Sequence, residues 1–352
     1  MEPVYEVGSS GPGAQASAPP ERRRGSGCLV ALALLLFVAL GVSVLANFGF
    51  LAMLGAGATE GPIRERTVRG EGEAKVALIE LRGVILDEVE AGSALLPIRR
   101  RLVERLEREF GAAEKDEKVV AVLLRIDSPG GAVSTSDRIW HLVRTFRERS
   151  GKPVVVSMGG VCASGGYYVA SACDRLVAEP STITGSIGVI LRSFNVSKLL
   201  ARLDVEPVTL TSGQNKNLLD PFEPPNPEHR RIVQATIDEA YERFVRIVAE
   251  GRAHAGLDEA AVRKLADGRI YTARTALDNK LVDAIGYLED AFGQAKQLAK
   301  VERARLVRYE ERAGLFGWLE ARLGAPQRTE LSLAQLLEHA RPRLYALWWA
   351  TP

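Results

Sequence analysis

The sequence predicts an α/β fold: a twisted, largely parallel β-sheet flanked by helices and joined to one N-terminal transmembrane helix. Three observations predict it. Short apolar runs, "KVALIEL" (75–81), "KVVAVLLRID" (118–127) and "KPVVVSM" (152–158), lack the alternation of a half-exposed strand, so both of their faces are buried. Amphipathic stretches of helical period alternate with them, as crossover connections require. Ahead of them all lies a segment without a single charge, residues 25–59.

Residues 1–26 are rich in Gly, Ala, Ser and Pro and read as a disordered tail. Residues 28–46 are nearly all Leu, Val and Ala. A helix needs about 20 apolar residues to cross a bilayer. The run is longer than the ~7–15 residue core of a cleavable signal peptide. Arg22, Arg23 and Arg24 precede it, and clustered arginine stays on the cytoplasmic side. Residues 27–58 therefore read as a single-pass signal anchor in the cell (inner or plasma) membrane. The tail is cytoplasmic and the remainder extracytoplasmic. Cleavage at Ala56-Gly57-Ala58 is the alternative. Residues 59–74 read as a polar linker, 75–300 as the soluble domain and 301–352 as a helical extension.

Within the domain, residues 97–116 carry apolar side chains at helical spacing. The strand at 118–127 ends at Ser128-Pro129-Gly130-Gly131. A helix follows, with Val133, Ile139, Leu142, Val143 and Phe146 on one face. "DRLVAEP" reads as a strand stopped by Pro180, and "GSIGVIL" (185–191) as a further strand. Residues 227–253 form a long amphipathic helix. Two later stretches, "GLFGWLEARLG" and "LSLAQLLEHARPRLYALWW", read as amphipathic helices that pack on the core or a neighbour, or lie at a membrane surface.

Composition excludes several functions. The chain has 352 residues with 46 basic and 44 acidic side chains, a net charge of +2, and no basic stripe with interleaved aromatics, so no nucleic-acid partner is expected. Its 3 cysteines and 4 histidines form no metal-ligand spacing, so neither metal nor cofactor is expected. Cys162 and Cys173 read as small buried thiols, with pairing as the alternative. His229, His254 and His339 lie in charged, helix-like surroundings.

Two strand ends carry the chemistry. Ser128-Pro129-Gly130-Gly131 sits at the carboxyl end of a buried strand, where open α/β sheets bind ligands. Its glycines let backbone approach backbone, and their N–H groups suit an oxyanion; a plain strand-to-helix turn is the other reading. Ala163-Ser164-Gly165-Gly166 also follows a buried strand. Ser164 is there a nucleophile, or a residue of a tight turn or helix cap. A nucleophilic serine needs a base. No histidine falls between Ser164 and His229, and His141 has no acidic partner, so a Ser-His-Asp triad is poorly supported. A desolvated lysine serves instead. Lys198, in a short amphipathic stretch, and Lys216, in the Gly- and Pro-punctuated loop "LTSGQNKNLLDPFEPP", are the candidates.

Taken in order, "RIDSPGG", "GGVCASGGYYVASACD", "TGSIGVI", "SGQNKN" and "DGRIYTARTALDNKLVDAIG" resemble the bacterial signal peptide peptidase A family, membrane-anchored Ser–Lys serine proteases. The resemblance covers residues 75–298. It implies the Clp protease/crotonase fold, with Ser164 as nucleophile and Lys216 as base. Ser186 would orient the lysine, and Gly131, beside Gly130, would donate to the oxyanion. Residues 271–286 would close the domain. Asn217 and Lys280 depart from the family pattern, which more often has Asp and Gly there. The pattern occurs once, as in half-length members, which implies a ring-like homo-oligomer. Ser164 of one protomer would then meet Lys216 of the next, and the two would not touch within one protomer. The implied substrates are extended apolar peptides, such as remnant signal peptides leaving the membrane. Two rivals remain: a crotonase-like acyl-CoA enzyme, which CoA binding would reveal, and an inactive membrane scaffold, which a serine-reactive probe would exclude.

Overall fold

The computed structural model describes residues 26–56, 64–93, 96–310 and 344–347. The chain divides into two compact units, the N-terminal helix and the elements that follow it. The helix, α1 (Ser26–Ala56), has 31 residues. Its stretch Val30–Gly49 has a mean hydropathy of 2.5. At about 1.5 Å per residue those 20 residues span the roughly 30 Å of a bilayer core. The apolar side chains along that stretch stand exposed, Phe37 and Leu45 among them, which fits a membrane anchor.

The second unit begins with strands β1 (Arg64–Gly70) and β2 (Lys75–Arg82) and a hairpin, β3 (Glu88–Ser93) with β4 (Leu96–Arg101). Helix α2 (Leu102–Lys115) leads to β5 (Val119–Ser128), the short β6 (Gly130–Ala132) and α3 (Val133–Ser150). Next come β7 (Val154–Ala163), α4 (Gly165–Ala170), β8 (Arg175–Ala178), β9 (Ile183–Gly185), β10 (Ile190–Leu191) and α5 (Ser197–Arg202). The long α6 (Pro227–Arg252) precedes α7 (Glu259–Leu265), β11 (Ile270–Thr272) and α8 (Ala273–Asp278). Then follow β12 (Ala284–Ile285), α9 (Leu288–Leu298), β13 (Arg305–Glu310) and, beyond a gap in the described residues, β14 (Leu344–Leu347).

The main sheet runs β1-β13-β2-β5-β7-β8-β12. All neighbours are parallel except β1 with β13. Side chains of β2, β5 and β7 alternate between two cores. Val76, Leu78, Ala121, Leu123 and Val155 pack with Ala291, Phe292 and Ala295 of α9. Ala77, Ile79, Val122, Leu124, Val154 and Val156 pack on the opposite side with Leu106, Ile139, Val143, Phe244 and Val248. This double burial accounts for the unbroken apolar runs. The outcome is the expected α/β class, a sheet flanked by helices.

Four expectations need correction. The segment 59–74 is not only a linker, because Arg64–Gly70 pairs with β13 and extends the sheet. Likewise β13 belongs to the domain rather than to an extension, so the domain runs from 64 to 310. The helix expected at 97–116 starts at Leu102, and the residues before it form β4. The buried period Val103, Leu106, Phe110 and Ala113 marks the face that this helix packs on the core. Residues 344–347 are strand rather than helix. Pro342 breaks the helical pattern just before them, and two strand edges take them up. The stretch 314–324 and the rest of 331–349 lie outside the described residues.

Cys162 and Cys173 are free and buried. Lys280 has φ 61°, the left-handed turn for which a glycine is the ordinary choice. Its carbonyl accepts a bond from Arg252 Nε at 2.9 Å.

Candidate active site

Ser164 joins β7 to α4 and has φ 52° and ψ −117°, a region costly for any residue with a side chain. Its N–H donates to the Gly185 carbonyl at 2.8 Å, and Tyr168 N–H donates back to its carbonyl at 2.8 Å. The strand therefore continues to the residue before the serine, and the helix starts directly after it. Such a strained strand-to-helix elbow presents a side-chain oxygen at the end of a sheet. The cap reading fails, because the Ser164 hydroxyl accepts no bond from the first turn of α4. Two tyrosines hold that helix in place. Tyr167 donates to the Leu281 carbonyl at 2.7 Å, and Tyr168 to Asp137 Oδ1 at 2.6 Å. Cys162, two residues away, is no rival nucleophile: burial pushes its thiol well up, which disfavours the thiolate.

The glycine pair lies beside this elbow. A Cβ on Gly166 would stand 2.9 Å from the Ser128 carbonyl oxygen, so α4 packs directly on the end of β5. Gly130 N–H donates to Ser128 Oγ at 3.1 Å. Ile85 clasps β6 from the other side: its N–H donates to the Gly130 carbonyl and its carbonyl accepts from Ala132 N–H, both at 2.8 Å. A Cβ on Gly131 would lie 2.1 Å from the Ile85 carbonyl oxygen, closer than backbone tolerates. Gly131→Ala is therefore expected to displace β6, lowering stability by about 1–3 kcal/mol and peptide turnover by more than that loss alone explains. Thermal unfolding and peptidase assays on one preparation would check it. Ile85 was invisible in the sequence, since its role is carried by backbone atoms.

Ser186 follows Gly185 directly, as Ser164 follows Ala163, and Ala163 and Gly185 are partners in adjacent parallel strands. Ser186 is also left-handed, with φ 50°, and its N–H donates to the Arg269 carbonyl at 2.8 Å. The Tyr271 ring presses on this turn: a Cβ on Gly185 would meet it at 2.5 Å. Ser164, Ser186, Gly130 and Gly131 are thus gathered at one end of the sheet.

Lys216 is not among them. It is exposed in its loop, and its side chain makes no hydrogen bond or ion pair with any described residue, Ser164 included. Lys198, the other lysine considered, lies exposed on α5, and His141 is exposed on α3. The Lys216 loop is nevertheless well braced. Lys216 N–H donates to the Gly213 carbonyl at 3.0 Å, and Asn217 Nδ2 donates to Glu223 Oε2 at 2.6 Å. An aspartate at 217 would set two carboxylates against each other there. His229, expected among charged surroundings, is buried instead, and its Nε2 donates to the Gln214 carbonyl at 3.2 Å. The signal for it was position: Pro227 and the Asn226 cap start α6, which places His229 in its first turn, under the loop.

No group of three or more His, Cys, Asp or Glu able to hold a metal occurs among the described residues. Residues 147–302 match peptidase family S49. A protein of Enterococcus faecium bearing the name signal peptide peptidase SppA is 35% identical over 249 residues, covering 70% of this chain and 71% of that one. A Methanocaldococcus jannaschii protein named as a protease is 36% identical over 248 residues, covering 70% of this chain and 78% of that one. Protease 4 of Salmonella typhi is 36% identical over 199 residues, 56% of this chain but 31% of its own. Among solved structures, a ClpP1 mutant of Listeria monocytogenes is similar with a TM-score of 0.39 and 18% identity, covering 61% of this chain and 93% of that one. Identity at this level over more than two thirds of a relative decides the family, and the chain belongs to peptidase family S49, in the signal peptide peptidase A family, as a serine peptidase.

Proposed function

We propose that the protein is a membrane-anchored endopeptidase in which Ser164 of one protomer is activated by Lys216 of its neighbour in a ring-like homo-oligomer. The observation that carries this reading is that the two side chains share no hydrogen bond within one protomer. A strained, buried serine is ready for attack, while the lysine stands exposed with no partner among the described residues. The arm that bears the lysine is itself unpartnered: Phe194, Val208 and Leu210 are 69%, 84% and 93% exposed. Apolar side chains at that exposure mark a surface awaiting a protein partner. A head-to-tail contact repeated around an axis closes a ring.

The chemistry then runs in order. Seating the loop against a neighbour removes water, which favours the uncharged form of a lysine amine. Neutral Lys216 Nζ takes the proton of Ser164 Oγ, and Oγ bonds to the substrate carbonyl carbon. The carbonyl oxygen becomes an oxyanion facing backbone N–H groups at Gly131 and Gly130. Ser186 Oγ orients the amine. The lysine returns the proton to the departing amine as the peptide bond breaks. Water, deprotonated by the same lysine, then releases the acyl group from Ser164. The substrates are extended apolar peptides, including signal-peptide remnants, delivered beside a bilayer that residues 27–58 span with the N-terminus cytoplasmic.

Labelling tests the site directly. A fluorophosphonate should modify Ser164 in the solubilised wild-type protein and leave Ser164→Ala unmodified. Absence of labelling in an intact oligomer that hydrolyses peptides would refute the nucleophile.

A further inference from the structure

The strand that leads to Ser164 is not regular. β5 and β7 run in register from Val122 opposite Val154 to Ile126 opposite Met158, and resume at Ser128 opposite Cys162. One residue of β5, Asp127, thus faces three of β7: Gly159, Gly160 and Val161. Such a bulge bends its strand and re-aims the residues beyond it, and bulges gather beside active sites. The two surplus residues are an even number, so the side chains beyond keep their faces. Met158 and Cys162 accordingly pack in the same core. Reach is what changes. Two residues of strand rise about 7 Å, and the bulge takes up that length between the regular part of β7 and Ser164. β7 also changes partner here, from β8 before the bulge to β9 after it.

A bulge takes backbone groups out of the ladder, and they need other partners. Val161 N–H donates to Asp127 Oδ1 at 3.1 Å. Asp127 also presses on the start of the bulge. A Cβ on Gly159 would lie 2.8 Å from its Cγ, so a glycine is required for the carboxyl group to sit there. From the opposite edge, the buried Thr182 donates its hydroxyl to the Gly159 carbonyl at 2.7 Å. Arg125, two residues before Asp127, holds Glu179 at 2.6 Å, and the Glu179 carbonyl accepts from Thr182 N–H at 2.9 Å. The Asp127 side chain makes no ion pair with any described residue, so a charge bridge does not account for it.

We propose that Asp127 is a positioning residue for the peptidase reaction: its carboxylate pins the Gly159–Val161 bulge and so fixes where Ser164 Oγ meets the substrate carbonyl. This inference rests on the reading of Ser164 as nucleophile. Val161, Cys162 and Ala163 are held rigidly against Ile183, Thr184 and Gly185 of β9, so a shift at the bulge passes to the elbow. Asp127 acts through the backbone rather than on substrate. Its removal therefore lowers kcat and leaves KM little changed.

The test compares the full-length, detergent-solubilised wild type with Asp127→Ala and Asp127→Asn. Fluorophosphonate labelling carried to completion counts the competent Ser164 in each preparation, and peptide turnover is divided by that count. In Asp127→Ala, kcat per labelled serine should fall roughly 10–100-fold with KM little changed, the loss expected of a misplaced reacting group. Asp127→Asn keeps an oxygen acceptor in the same place and should recover most of that loss. A variant that merely folded poorly would lose labelled serines, while each one left turned over at the wild-type rate. That result overturns the proposal, as does a loss in Asp127→Asn as deep as in Asp127→Ala. The two readings fail differently. Labelling of wild-type Ser164 beside unchanged turnover in Asp127→Ala removes the positioning role alone. A wild type that hydrolyses peptides without labelling at Ser164 removes the nucleophile, and the positioning role falls with it.

Discussion

Peptide hydrolysis by the detergent-solubilised protein is expected to fall on the order of 10⁴-fold or more in Ser164→Ala, and by a comparable factor in Lys216→Ala. The two losses should be alike and not additive, because nucleophile and base act as one unit. Lys216→Arg should fail as completely, since a guanidinium keeps its proton. This separates a lysine that moves protons from one that merely supplies positive charge. Near-normal turnover in Lys216→Ala would contradict the mechanism. Circular dichroism of the variants should match the wild type, because neither side chain makes a hydrogen bond or ion pair with any described residue.

The second large effect concerns a buried ion pair between α6 and the segment before β12. The Arg252 side chain is 1% exposed and meets both oxygens of Asp283, at 2.9 and 2.8 Å. Asp283 Oδ2 also accepts from Leu176 N–H at 2.7 Å, and Oδ1 meets His254 Nε2 at 2.9 Å. Burial by itself would raise the Asp283 carboxyl. The bonds from Arg252, His254 and Leu176 outweigh it and hold the group at about 2. Removing one partner strands the other charge, so Asp283→Asn should cost about 3–5 kcal/mol. The double variant Arg252→Met with Asp283→Leu should recover most of that, since no charge is left buried. A loss in the double variant equal to that in the single would show that the stranded charge is not the cause. The pH dependence follows from the direction of the shift. An unfolded aspartate titrates near ~3.9, above its folded value, so the pair's contribution is complete above that pH. It is lost as pH falls toward 2. Acid-unfolding curves should show the wild type and Asp283→Asn converging in that interval. The same pair anchors the last turn of α6, whose first turn holds the Lys216 loop through His229. Loosening one end of this helix should therefore lower activity as well as stability.

Some of this was legible in the residues. Double burial announced itself in 119–124 and 153–156, because these runs hold no polar residue to place on either face. The elbow at Ser164 was legible as small residues after a strand, although its strain was not. Segments whose partners are distant stayed hidden. Arg64–Gly70 is exposed along its whole length, so no alternation marks it as a strand, and only pairing with β13 makes it one. Residues 344–347 read as helix because local spacing cannot reveal that two open edges lie beside Gly131 and Ile190. Arg252 and Asp283 are 31 positions apart, and charge alone marks neither as buried. Lys216 is the opposite case: its role was inferred from a motif, and the single protomer leaves it outside the cluster of site residues.

Mixed oligomers test that point most directly. Ser164→Ala and Lys216→Ala proteins are inactive separately, yet each carries the half that the other lacks. If the dyad spans an interface, dissociating the two proteins together and reassembling them at equal ratio restores about a quarter of wild-type turnover per site, the share of head-to-tail junctions that join two intact halves. If both groups act within one protomer, the reassembled mixture stays as inactive as its components, and a dyad shared between protomers is ruled out.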